Sequence, residues 1–178
     1  MSQHNPFINT RIADAMESLG GLDEQLPAAI LKAGEIMAAQ LVAEQKIIAL
    51  GLDNMEPLAA MFCNRLMYGN AELRPALPAL LLNNNTQLKS LGNSGDCLLL
   101  VGESMVSSSM QNGIRSATAM GLQCIVIGQS GTSDSALNIE PAHYLPIDTK
   151  NLTRMHEVAL FILNCLSDTI EHQLFGDF

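Results

Sequence analysis

Apolar residues in the first forty positions recur at helical spacing. Phe7, Ile8, Ile12, Ala15, Met16 and Leu19 return at roughly every third or fourth position, and Gly20-Gly21 ends the run. Leu26, Ile30, Ala33, Ile36, Met37 and Leu41 begin a second, longer helix, with Pro27 in its first turn, where a missing N–H costs little. Short apolar runs then alternate with helical segments. Residues 46–51, 78–82, 96–102 and 123–128 read as strands, and 143–147 as a weaker fifth whose Pro146 suits a sheet edge. Helices are predicted over 55–68, 107–120 and 151–174. The last carries Met155, Val158, Ala159, Ile162, Leu163, Leu166 and Ile170 on one apolar face.

The strands are continuous apolar runs rather than alternating ones, which marks strands covered on both faces, as in parallel sheets flanked by helices. The pattern predicts a doubly wound α/β domain with helices on both faces of a five-stranded sheet and two additional N-terminal helices. We expect residues 1–44 to form the N-terminal helices and 45–178 the α/β domain, in one compact unit. One link is short. Residues 83–95 must carry a crossover that ordinarily needs a dozen or more residues, and 86–91 supply barely two turns of helix.

Composition narrows the function classes. The 178 residues are 48% hydrophobic and 15% charged, which excludes a disordered chain. The net charge of −9, with 9 basic residues and no run of them, argues against direct nucleic-acid binding. No apolar stretch is long enough to span a bilayer, and the first residues lack the pattern of a secretory signal. Cys63, Cys97, Cys124 and Cys165 lie far apart, without the close spacing of a metal knuckle or redox pair. They read as small hydrophobes in a reducing cytoplasm. No metal or cofactor is called for.

In an open parallel sheet, ligands sit outside the C-terminal strand ends. After the first strand, Gly51-Leu52-Asp53-Asn54-Met55-Glu56-Pro57 offers bulky and acidic residues where an anion cradle wants small ones and free N–H groups. Asp53 or Asn54 reads there as a helix cap. After the third strand, Gly102-Glu103-Ser104-Met105-Val106-Ser107-Ser108-Ser109 is either an anion site at a helix start or a cap built on Ser107. After the fourth, residues 128–133 are polar without a titratable group. His156 and Glu157 are sequence neighbours on the last helix and do not face each other, so an acid–base pair would need a partner from elsewhere. His4, His143 and His172 have no evident partner beside them.

The ordered segments resemble the sugar isomerase (SIS) domain family, in the branch that holds phosphoheptose isomerases and DnaA initiator-associating proteins. The resemblance runs through Leu26-Pro27 with Ala29-Ile30, Lys46-Ile47 with Gly51, and Asn64-Arg65. It continues through Arg74-Pro75 with Leu77-Pro78-Ala79, Leu82-Asn83, Leu91-Gly92 with Gly95-Asp96, and Asn164-Cys165-Leu166 with Asp168 through Leu174-Phe175. It covers nearly the whole chain and implies a three-layer αβα sandwich of flavodoxin-like order. Departures are as informative. The family's Gly-Asn-Gly-x-Ser loop is shortened to Gly51-Leu52-Asp53-Asn54, and the histidine that follows it in the isomerases falls near Pro57. The serine-rich phosphate loop keeps only two serines, and Ala159 stands where the final helix of the isomerases has a histidine.

By that resemblance we expect a protein without catalytic residues that binds a DnaA-type initiator and promotes its assembly at the origin. The alternative is a phosphosugar isomerase or sugar-phosphate sensor. Ser104, Ser107, Ser108, Ser109 and Glu157 would be the remnant of a sugar-phosphate site, and Leu174 and Phe175 a partner contact. The resemblance also implies a homotetramer or homodimer, with the apolar segment 7–19 packed between subunits.

Overall fold

The computed structural model describes residues 6–22, 24–69, 74–129, 143–149 and 151–176. Two helices, α1 (Pro6–Gly20) and α2 (Leu26–Val42), precede an alternation of β1 (Ile47–Gly51), α3 (Glu56–Tyr68), β2 (Ala79–Leu82), α4 (Asn85–Leu91), β3 (Cys97–Val101), α5 (Ser108–Met120), β4 (Gln123–Gln129), β5 (Tyr144–Ile147) and α6 (Leu152–Phe175). The strands form one sheet of order β2-β1-β3-β4-β5, and every pairing is parallel. The three-layer expectation holds.

Alternation along each strand builds the layers. Ile47 and Ala49 of β1, with Cys97, Leu99 and Val101 of β3, face a core shared with α2, α3 and α6. Ile48 and Leu50, with Leu98 and Leu100, face the second core under α4 and α5. All nine of these side chains are fully buried, so every position of the two central strands must be apolar. This is the physical origin of the uninterrupted apolar runs. β5 lies at the edge, where Pro146 stands opposite Gly128 and a missing N–H is tolerated.

The short crossover is real. α4 has seven residues, capped by Asn84, whose side chain accepts from the Thr86 and Gln87 N–H groups. It carries the chain from the edge strand β2 over β1 to β3. Leu88 is its one buried residue, pinned in the second core.

The N-terminal ends of β1 and β3 are joined through Asp96. This carboxylate is 1% exposed and accepts from the Lys46 N–H (3.1 Å), the Lys46 ammonium (2.5 Å) and the Asn93 N–H (2.7 Å). Arg74 works in the same way at the end of α3. Its guanidinium donates to the Arg65 and Leu66 carbonyls, which also accept from the Gly69 and Leu77 N–H groups, and to Glu171 of α6 at 2.8 Å. Arg65 also pairs with Asn164 and Asp168 of α6. The Arg-Pro and Asn-Cys-Leu segments thus hold α3 against α6.

Candidate functional site

The strand order reverses direction between β1 and β3, and in such sheets ligands bind in the crevice at that switch point, outside the C-terminal ends. The two loops that meet there follow β1 and β3. The first is a tight turn, closed by the Met55 N–H bonding to the Leu52 carbonyl at 3.0 Å. Asp53 occupies the left-handed region at φ 57°, a conformation Asp tolerates better than most residues. Leu52 is 7% exposed and Met55 fully buried. The bulky residues that count against an anion cradle anchor the turn, and they present Asn54 to the neighbouring loop. Neither Asp53 nor Asn54 caps α3, contrary to the reading from sequence: the cap position is Met55, which makes no side-chain bond.

The second loop is held from beneath. Met105 is 1% exposed, Met110 is fully buried, and the Gln111 side chain donates to the Met105 carbonyl at 2.9 Å. The underside leaves no room for added bulk: a Cβ on Gly128 would stand 3.0 Å from the Met105 sulfur, and one on Gly102 would stand 2.6 Å from the Met110 methyl. Ser107 caps α5 by accepting from the Met110 N–H at 3.2 Å. Ser104 and Ser107 are half-buried, while Ser108 and Ser109 are exposed at the first turn of α5, where N–H groups lack intrahelical acceptors.

Glu103 and His156 meet across this crevice. Glu103 Oε1 accepts from Asn54 Nδ2 at 2.8 Å, and His156 Nε2 of α6 lies 3.4 Å from the same oxygen. The histidine that seemed to need a partner from elsewhere has one, 53 positions away. His156 Nε2 is enclosed and makes no hydrogen bond of normal length. At 3.4 Å it is long for such a bond and within charge-pairing range when the ring is protonated. Glu157 points elsewhere. It pairs with Arg154 one turn back at 2.8 Å, and Arg154 also donates to the Arg11 carbonyl of α1 at 3.3 Å. Leu174 and Phe175 are half-buried and pack against the core.

Sequence reading assigned the serines and Glu157 to the site, took Asn54 for a helix cap and gave Glu103 no part in it. The signal available was an acidic residue and an amide in the two loops that flank the switch point. Ser130 to Ser133 and His4 lie outside the described residues. Among the described residues, no three His, Cys, Asp or Glu side chains form a metal-binding group, and no helix is long and apolar enough to cross a membrane. The four cysteines are free. Burial pushes the Cys63 thiol up to about 11 and Cys124 to about 12, and raises Cys97 and Cys165 as well.

No family model matches the chain. The phosphoheptose isomerase of Chromohalobacter salexigens is 28% identical over 172 residues, covering 86% of this chain and 87% of that protein. That of Halorhodospira halophila is 27% identical over 167 residues, covering 83% and 84%. Among solved structures, a phosphoheptose isomerase from Francisella tularensis superposes with a TM-score of 0.80 at 24% identity, over 93% of this chain and 96% of that one. These findings overturn the expectation of a protein that is not an enzyme, since the relatives are named as isomerases along nearly their full length. At the switch point the two loops carry Asn54 and Glu103, beside His156 of α6. Along most of its length the chain is similar in sequence to phosphoheptose isomerases of the SIS-domain family, and it shares their fold.

Proposed function

We propose that this chain is a phosphosugar isomerase that interconverts a ketose phosphate and an aldose phosphate, with Glu103 and His156 as its acid–base pair. The observation that carries the reading is their approach at the β1/β3 switch point, a carboxylate oxygen 3.4 Å from an imidazole nitrogen. Aldose–ketose isomerisation needs two proton transfers at adjacent atoms, one at carbon and one at oxygen. The Glu103 carboxylate takes a proton from C1 of the open-chain ketose, and the electrons of that C–H bond form the C1–C2 double bond. The C2 carbonyl oxygen receives a proton from the His156 imidazolium. In the second half the C1 hydroxyl returns its proton to His156 as the C1 carbonyl forms, and C2 takes the proton held by Glu103. No proton is gained or lost overall. The phosphate would lie toward Ser104 in the loop and Ser108 and Ser109 at the start of α5, where the helix leaves N–H groups without intrahelical acceptors.

The test is turnover of sedoheptulose 7-phosphate and of shorter ketose phosphates, followed by NMR of the C1 and C2 protons in deuterium oxide. Deuterium entering C1 or C2 is expected with wild type and is lost in Glu103→Gln. Absence of exchange for every sugar phosphate at millimolar concentration would sink the proposal.

Self-association is a second proposal, supported by α1. That helix buries no residue within the chain, and Phe7, Ile8, Ile12, Met16 and Leu19 are 39–69% exposed. A hollow of about 260 Å³, lined by Leu22, Leu26, Ile30, Leu31, Phe161 and Cys165, opens between α2 and α6. Binding of a DnaA-type initiator remains a separate proposal that the isomerase names do not support. Capture of DnaA by wild type but not by Leu174→Ala/Phe175→Ala is its test.

A further inference from the structure

The cluster at the switch point has a third member whose role goes beyond the acid–base pair. Asn54 donates to Glu103 Oε1 at 2.8 Å, and His156 Nε2 approaches the same oxygen. Glu103 Oε2 makes no hydrogen bond and is not among the enclosed polar atoms; nor is His156 Nδ1. The side chains of Glu103 and His156 are 21% and 35% exposed. Each of the two therefore has one atom facing the other and a second atom that is not enclosed.

We infer that Asn54 is the positioning residue of this site: it holds Glu103 against His156 Nε2, fixes the Nε2–H tautomer, and so makes Glu103 Oε2 and His156 Nδ1 the two reacting atoms. The inference rests on the isomerase reading for the reaction itself. An ionised carboxylate only accepts. An imidazole nitrogen facing Glu103 Oε1 is stable with its proton in place, which leaves the other nitrogen to exchange protons with a substrate. The same logic orients the histidine of a carboxylate–imidazole pair in other enzymes. Asn54 secures the carboxylate because the turn that carries it is rigid. Leu52 and Met55 are sunk in the core on either side, and the Leu52 N–H bonds to the Val101 carbonyl at 2.8 Å.

The other charged groups nearest in sequence to the three members are Asp53, Glu56, Arg154 and Glu157, of which Arg154 and Glu157 pair with each other. None of them is bonded to Glu103 or His156.

Two measurements on the full chain test the assignment. The first needs no activity: the ¹⁵N shifts of the His156 ring report which nitrogen is protonated. Wild type is expected in the Nε2–H form, and Asn54→Ala is expected to give a mixture of tautomers, as is Glu103→Gln. An unchanged tautomer in Asn54→Ala, with the fold intact by far-UV circular dichroism, would overturn the inference. The second is kinetic. Asn54→Ala should lower kcat about tenfold with KM within about twofold, the size expected for losing one hydrogen bond to a charged group that acts in the transition state. Asn54→Asp, which sets a second carboxylate against Oε1, should lower it further. A change confined to KM would also overturn the inference. If wild type turns over no sugar phosphate, the isomerase reading fails, and the tautomer measurement still decides the role of Asn54.

Discussion

Replacing Asp96 by Ala should destabilise the fold by about 3 kcal/mol and leave the switch-point chemistry untouched. Asp96 lies at the N-terminal ends of β1 and β3, at the opposite end of the strands from Glu103. It accepts three hydrogen bonds, from the Lys46 N–H, the Lys46 ammonium and the Asn93 N–H, at 3.1, 2.5 and 2.7 Å. A bond to a charged group is worth roughly 1.5–3 kcal/mol, but the three do not sum. Asn93 is exposed and the Lys46 side chain is 25% exposed, so water replaces part of what the carboxylate supplies. The Lys46 N–H, at the entry to a central strand, loses most. Breaking a buried pair by removing one partner costs about 3–5 kcal/mol, and the partly wet ammonium puts this case at the low end. Asp96→Asn keeps an acceptor for the Lys46 N–H and should cost about half as much. Urea denaturation followed by circular dichroism is the assay. The midpoint should fall with the slope unchanged, and the melting temperature should drop by about 6–12 °C for a domain of this size. A loss below about 1 kcal/mol for Asp96→Ala would refute the reasoning, because it would mean that water satisfies the Lys46 N–H as well as the carboxylate does.

Three further outcomes follow from the same geometry. Arg74→Met strands Glu171, while the two helix-end carbonyls keep the Gly69 and Leu77 N–H groups, and should cost about 3 kcal/mol, with Arg74→Lys giving only partial rescue because an ammonium cannot span these acceptors as a planar fork does; thermal denaturation reads it. Ile12→Glu/Met16→Glu should turn an oligomer into monomers at unchanged helix content, since neither side chain is buried within the chain; light scattering after gel filtration checks this, and an unchanged mass would remove α1 from the interface. The thiols should react slowly with a disulfide reagent at pH 8 and fully after denaturation. Folded values raised above the ordinary 9.0 also mean that stability is intact below about pH 9 and declines above it, as unfolded thiols ionise first.

The layers were legible because burial on both faces leaves a direct mark on a strand. Ile47 to Leu50 face alternate cores, so none of them can be polar, and the run of apolar letters records that. Pro146 marked the edge for an equally local reason, a missing donor. The site was legible only in its ingredients. Glu103 and His156 are brought together by the strand order and the packing of α6, and nothing within ten residues of either records the meeting. Glu157 was assigned to the site through the family resemblance. Its spacing from Arg154, three positions on a helix, already pointed to the ion pair it makes. Leu52 and Met55 were counted against the first loop for their bulk, a fair judgement for a cradle that closes on phosphate by backbone contact. It fails for a turn whose task is to be anchored so that its polar tip can reach across.

The shortened first loop and the acid in the second make sense only together. A long glycine-rich loop after β1 supplies N–H groups to a phosphate, and a carboxylate beside it would repel that ligand. Reduced to a two-residue tip between buried anchors, the loop supplies one amide, and that amide needs an acceptor on the neighbouring loop. Glu103 is that acceptor, and once there it faces α6, where a histidine becomes useful as its partner. Reverting either loop alone should therefore be worse than keeping both. A glycine-rich loop placed beside Glu103 sets an anion cradle against a carboxylate, and a serine at 103 leaves Asn54 and His156 Nε2 without the oxygen that both address. On the isomerase proposal, the phosphate end of the site would fall to the exposed serines at the start of α5, where the dipole of a 13-residue helix favours an anion.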